Sequence, residues 1–243
     1  MLSVHSAGLT HVGNRRSHNE DAFVDRPDLG VWAVADGAGG HDAGEVASGM
    51  LVETLGAIPA GLAAGDLLSE IRTRVAAVHE ALLAEAAQRG PDVAIASTLV
   101  ALCIRGAYFA CLWAGDSRAY LWRGGLLTRI THDHSLVQEL VDAGRIAPEA
   151  AETHPQANVI TRAVGAADAE PFTLDKVSDH LVAGDRLLLC SDGLTKEISE
   201  AEIAAVLATE ANAAAERLIA ATLARPARDN VTVVVVDVTE GAD

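Results

Sequence analysis

"VWAVADGAGGH", residues 31–41, decides how the chain is read. Five apolar residues run straight into Asp36, and glycines follow at 37, 39 and 40. A segment suited to burial therefore ends on a carboxylate. The shape returns in "LLLCSDGL", where 187–190 lead to Asp192 and Gly193, and in "CLWAGDSRAY", where the run ends on Asp116. In "ARDNVTVVVV" it is reversed, with Asp229 just before a β-branched apolar run. One Asp-Gly after a strand is ordinary turn chemistry. Four such junctions ask for a common cause: if the marked strand ends meet, their carboxylates converge.

The rest of the chain supplies the strands. Apolar runs bounded by Gly, Asp and Ser are expected as strands over 31–35, 97–104, 108–114, 118–123, 185–190 and 230–238. The three between 97 and 123 are joined by short turns and read as an antiparallel meander. Leu67, Ile71, Val75, Val78, Leu82 and Ala86 step by three or four, which is one face of a long amphipathic helix. Asp66 is its expected N-cap and Gly90-Pro91 its stop. A second helix is expected over 43–58. Two more fit 199–209 and 211–224, the first opened by the Ser199–Glu202 capping-box spacing. Hairpins and helices in blocks indicate an α+β layered fold, not a parallel βαβ sheet. Residues 131–171 mix short helical patterns with Pro148, Pro155 and Gly165. Connections that long usually have a job, and a lid is one.

Composition narrows the partners. The 243 residues are 50% hydrophobic and 21% charged, which gives a substantial core and excludes global disorder. Aromatics at 3% leave the core to Ala, Val, Leu and Ile and argue against base-stacking platforms. The net charge of −16 and pI near 4.8 disfavour nucleic acid and anionic membranes, which need clustered Lys and Arg. No apolar run approaches the roughly 18 residues of a bilayer span. The first residues lack the charged-then-apolar order of a signal peptide. A soluble, cytoplasmic protein is expected. Cys103, Cys111 and Cys190 are scattered in apolar segments and read as small buried hydrophobes.

Other phosphate chemistries fail on spacing. Gly37-x-Gly39 is followed by Asp42 where G-x-G-x-x-G needs its third glycine, and no Lys-Ser/Thr of a P-loop is present. After Cys190, Lys196 stands where a cysteine phosphatase needs a bidentate arginine. "LCSDG" is no G-x-S-x-G elbow. The carboxylates remain: Asp36, Asp116, Asp192 and Asp229, with Glu20 and Asp21 of "RRSHNED". Two carboxylates about 5 Å apart repel by roughly 3 kcal/mol at an effective dielectric of 20. Protons or hard divalent cations must neutralise such a cluster, and an oxygen-only set favours Mg²⁺ or Mn²⁺ over zinc. Gly37, without a Cβ, lets its carbonyl approach an ion beside Asp36.

In order, "RRSHNED", "VADGAGGH", "WAGDSRAYLWRGG", "HDHSLVQELVDAGRI", "NVITRAVG", "LLLCSDGLTKEI" and "RDNVTVVVV" resemble the successive motifs of the metal-dependent type 2C Ser/Thr protein phosphatases, the PPM family, in compact bacterial form. Each motif alone is weak; seven in order, spanning about residues 6–238, are specific. The resemblance implies a four-layer α-β-β-α sandwich of two packed antiparallel sheets flanked by helices. It implies residues 1–243 as one catalytic domain, with 131–171 as a flap that sets protein-substrate choice. It implies a two-metal centre holding Mn²⁺ or Mg²⁺. There Asp36 bridges the ions, Asp192 and Asp229 complete one shell, Gly37 gives its carbonyl to the other, and Glu20 or Asp21 holds waters. Asp116 and Asp192 match a third-ion site, and Arg16 the phosphate-binding arginine.

By the same resemblance, a hydroxide bridging the ions attacks phosphorus in line while Arg16 offsets charge on the phosphoryl oxygens. The expected substrates are phosphoserine and phosphothreonine proteins, with a bacterial Ser/Thr kinase as counterpart and secretion-system regulation as one context. Some members place a histidine directly after Asp-Gly as general acid; here that residue is Ala38, and His41 in the same loop or a metal-bound water is the alternative donor. Two other readings stand beside this one. A non-catalytic phosphoprotein-binding module would be expected to lose metal ligands, whereas Asp36, Asp192 and Asp229 are present. A small-molecule phosphoesterase is separated by assaying metabolites against phosphopeptides.

Overall fold

The structure is a computed structural model describing residues 2–39, 43–167, 171–209 and 213–241. One sheet runs in the order β2 (Asp21–Arg26), β3 (Val31–Gly39), β5 (Leu99–Arg105), β6 (Tyr108–Ala114) and β9 (Asp175–His180), with β4 (Ile95–Ser97) paired to the end of β3. The other runs β1 (Leu2–His11), β11 (Val231–Glu240), β10 (Arg186–Cys190), β7 (Arg118–Arg123) and β8 (Leu126–Arg129). Every ladder is antiparallel.

The side-chain period of two explains the layers. Val31, Ala33 and Ala35 of β3 pack with Leu51 and Leu55 of α1 (Ala43–Gly56) and Ile71 and Val75 of α2 (Ala64–Arg89). Trp32 and Val34 face the other way, onto Leu187, Leu189, Val234 and Val236 of the second sheet. That sheet turns Leu188, Val233 and Val235 outward onto Ile203 and Leu207 of α6 (Glu200–Leu207) and Leu218 of α7 (Ala214–Leu223). Both faces of the central strands are thus buried, which is why they read as unbroken apolar runs. Each fully buried Val, Leu or Ile contributes about 1.5–3 kcal/mol. The result is the α-β-β-α sandwich implied above. The six apolar positions of the long helix are buried, and Ser199 and Glu202 form both hydrogen bonds of a capping box. Cys103, Cys111 and Cys190 are buried and free.

Several expectations are corrected. The 97–123 meander does not exist as one sheet. β5 and β6 form a hairpin through Gly106 and Ala107, but β7 belongs to the other sheet. The far edge of β6 is taken by β9, so β7 cannot fold back upon it. The crossing at 115–117 uses Gly115 at φ +106°, and the turn is pinned from outside: His134 Nδ1 accepts from Gly115 N–H, and His134 N–H donates to the Gly115 carbonyl. The strand expected over 97–104 breaks at Thr98. Asp36 is no strand end, since β3 continues to Gly39. α2 starts after Ala63, and Asp66 lies in its first turn instead of capping it. β1, β2, β8 and β9 were not expected. β9 is a mostly exposed edge strand without apolar alternation, and β1 interleaves Ser, His and Gly.

Within 131–171 lie α3 (Leu136–Asp142) and α4 (Pro148–Ala151). The segment is tied down at both ends: Ser97 exchanges backbone bonds with Val164, and His134 O accepts from Thr161 N–H. Among the described residues, no helix is long and apolar enough to cross a membrane.

Candidate active site

The two sheets bring their marked ends to one place. Asp21, first residue of β2, lies opposite Asp36 in the β2–β3 register. Asp192 opens α5 (Asp192–Thr195) directly after β10, Asp116 sits in the crossing turn, and Asp229 stands two residues before β11. Burial raises Asp36 well above the usual carboxylate range, and Asp21, Asp192, Asp116 and Asp229 push it further. Burial also raises Asp21 to about 7, against hydrogen bonds from Ser191 and Thr232, with Asp192 and Asp229 adding to the rise. Asp116 is raised to about 7 by burial, Asp192 and Asp133. Asp192 is raised by burial, against the opposing effect of Lys196. Glu20 is raised by burial, against the opposing effect of Arg16. All the expected acids converge.

Most buried polar atoms in proteins find a partner. Here Oδ1 of Asp21, of Asp116 and of Asp192 are buried and receive no hydrogen bond. Those orphaned oxygens, all hard donors, fit a divalent cation such as Mn²⁺ or Mg²⁺. Among the described residues, no three His, Cys, Asp or Glu side chains are already closed around a single ion position. Two of the acids are instead held by bases: Lys196 Nζ contacts Asp192 Oδ2, and Arg16 Nη2 lies 2.9 Å from Asp229 Oδ1. Arg16 is half exposed, so its guanidinium is open to an incoming anion.

Gly37 is required for a reason spacing did not reveal. A Cβ there would lie 2.0 Å from the Gly44 carbonyl and 2.8 Å from that of Glu20. The glycine lets the start of α1 close against β3, while the Gly44 amide donates to the Glu20 carboxylate. Gly193 likewise allows Asn230 to approach, since a Cβ would meet its carbonyl at 1.9 Å. His41, considered as a proton donor, lies outside the described residues.

Sequence reasoning missed the residues that hold the acids. Ser191 and Thr232 hydroxyls both donate to Asp21 Oδ2 at 2.7 Å. Thr98 Oγ1 accepts from Asp36 N–H at 3.1 Å and shares a 2.7 Å bond with Ser117. Asn230 donates to the Val12 and His18 carbonyls and accepts from Glu20 N–H, fixing the loop that carries Arg16. A polar Thr232 inside a valine run was one visible signal. Lys196 was legible too, four residues after Asp192 at helical spacing.

Two packed antiparallel sheets with orphaned carboxylates at their shared end define a protein built to hold divalent cations. The chain belongs to the protein phosphatase 2C family, whose model matches residues 7–230. It is 41% identical over 241 residues to the serine/threonine protein phosphatase PstP of Mycobacterium tuberculosis, covering 98% of this chain and 46% of that protein. The chain thus spans about half the length of that relative. The structure of PppA, described as a key regulatory component of T6SS in Pseudomonas aeruginosa, superposes with a TM-score of 0.89 at 44% identity, covering 97% of this chain and 98% of that one. The PstP catalytic domain in complex with two manganese ions gives 0.87 at 38%, covering 99% and 100%.

Proposed function

We infer that this chain is a Mn²⁺- or Mg²⁺-dependent phosphatase acting on phosphoserine and phosphothreonine in proteins. The observation that carries the reading is the set of buried, unpartnered carboxylate oxygens gathered from separate strands at one end of the sandwich. Asp36, Asp192, Asp229 and the Gly37 carbonyl are assigned to two divalent ions, with Asp21 and Glu20 behind them. Asp116 and Asp192 are the pair a third ion would use. When bound, the ions supply Lewis acidity that makes hydroxide available near neutral pH.

The chain's own residues do the rest. Ser191 and Thr232 aim Asp21, and Thr98 fixes the backbone of Asp36. Arg16 presents two N–H groups to phosphoryl oxygens, exchanging Asp229 for the substrate. Asn230 keeps its loop in place. Residues 1–243 are read as one catalytic domain, with 131–171 as a flap selecting protein substrates. Its Gln138, Glu152 and His154 line a cavity of about 320 Å³ that also reaches Asp116 and Asp192. The counterpart is a bacterial Ser/Thr kinase acting in the cytoplasm, and likeness to PppA suggests secretion-system regulation as a setting.

The test is phosphate release from phosphothreonine peptides with Mn²⁺, abolished by EDTA. Wild-type turnover of p-nitrophenyl phosphate by Asp192→Ala overturns the assignment.

A further inference from the structure

Lys196 closes the C-terminal end of α5, one turn after Asp192. Its ammonium contacts Asp192 Oδ2 and lies 3.9 Å from Asp229 Oδ2. The charges of Asp192, Asp229 and Asp116 all attract it. It lines both the cavity containing Asp116 and Asp192 and the neighbouring cavity containing Arg16 and Asp229. Arg118 lines the same cavity as Asp116 and also acts on Asp192, but its guanidinium is engaged on both oxygens of Asp133. Asp116, 8% exposed with Oδ1 unpartnered, is the acid a third ion would need, and Lys196 offsets its charge.

Charge balance points the same way. Ionised around bound cations, Glu20, Asp21, Asp36, Asp116, Asp192 and Asp229 would carry six negative charges, against two positive ones on Arg16 and Lys196. Two dications bring the centre to neutrality. A third would leave it with two excess positive charges and set a dication beside an ammonium, and like charges brought together repel. An ammonium on a four-carbon stem is a compact point charge with three donors, suited to sit where a small cation would.

We propose that the Lys196 ammonium, seated on Asp192 in the cavity that Asp116 also lines, stands in for the third divalent ion that Asp116 and Asp192 would hold, so that the wild-type chain takes up two divalent ions and not three. This rests on the two-ion reading above. The experiment is Mn²⁺ uptake by the full chain at millimolar free Mn²⁺, counted by equilibrium dialysis with elemental analysis and by calorimetric titration. Wild type and Lys196→Arg are expected to bind two ions. Lys196→Gln, which keeps the stem and removes the charge, is expected to bind three, and adding Asp116→Asn to it returns the count to two. Three ions on the wild type overturn the proposal whatever the variants do, and two on Lys196→Gln overturn it as well. No uptake by any of the proteins overturns the two-ion reading itself, and the proposal with it.

Discussion

At the base of the 131–167 segment, Asp133 receives Nε and Nη2 of Arg118 at 3.0 and 2.7 Å, and Asp175 receives Arg162 at 2.7 Å and faces His134 at 3.3 Å. Two residues before Arg118, Asp116 buries an oxygen that receives nothing, as do Asp21 and Asp192. The electrostatics split accordingly. Burial works against Asp175, yet His134 and Arg162 hold it below the usual carboxylate range. Asp21 and Asp116 stand near 7. The same chain therefore matches its acids with bases where the acids build structure. At the converging strand ends Asp192 and Asp229 each meet one base, while Asp21, Asp36 and Asp116 have no basic side chain in contact among the described residues, at a cost to folding that a bound cation would offset.

The largest effect that tests this contrast is on turnover. Asp36→Asn keeps the shape and removes a charge that both assigned ions share. Phosphate release from a phosphothreonine peptide in Mn²⁺ is expected to fall about 10³-fold or more. In EDTA the same variant is expected to be as stable as wild type or more so, because a repelling charge is gone. Asp133→Ala is the mirror experiment. It strands Arg118 in a mostly buried site and is expected to cost about 3 kcal/mol in urea unfolding. Equal losses of stability from the two variants would erase the distinction between matched and unmatched acids.

Protons sharpen the contrast next. Asp21 and Asp116, raised to about 7, bind protons more tightly folded than unfolded. Their contribution to stability is full below the ordinary carboxylate value near 4 and is lost as pH rises through about 7. In EDTA the melting temperature is therefore expected to rise by a few degrees as pH is lowered from about 8 to about 6. Saturating Mn²⁺ competes with those protons and is expected to flatten or reverse the slope. A slope unchanged by Mn²⁺ would separate the orphaned acids from cation binding. Asp175 runs the other way: its contribution is present above the ordinary value and lost as pH falls through its lowered one.

The layers were legible because burial on both faces writes itself into sequence as unbroken runs such as 31–35 and 233–236. The edges were not, since β9 buries little and β1 alternates with polar residues. A hairpin and a sheet crossing use the same Gly-Asp-Ser turn chemistry. What decides between them at 115–117 is His134, which local pattern does not connect to Gly115. The site divides in the same manner. Asp36, Asp116, Asp192 and Asp229 stand at abrupt junctions between apolar runs and turns, which a reader can see. Ser191, Thr98 and Asn230 act on the acids and the Arg16 loop through hydrogen bonds to residues 62 to 218 positions away, and no periodicity marks them.

The smallest expected effect lies at the exposed end of the matched group. Asp175 has a side chain 46% accessible, so solvent screens its pairing with Arg162 and His134. Asp175→Asn keeps a hydrogen-bond acceptor and removes the charge. Its cost in urea unfolding is expected to stay within about 1 kcal/mol, the range of surface pairs. Its value lies in what else moves. Arg162 and His134 stand between Thr161, bonded to the His134 carbonyl, and the start of β9, so Asp175 ties the returning end of the 131–167 segment to the sheet. If that segment selects protein substrates, loosening it is expected to raise KM for a phosphoprotein two- to threefold, about 0.4–0.7 kcal/mol, while p-nitrophenyl phosphate turnover stays level. A matched acid would then be purely a positioning element, with no part in the chemistry. An equal fall in turnover of both substrates would instead place Asp175 in the same functional unit as the unmatched acids, and the boundary drawn between the two groups would have to move.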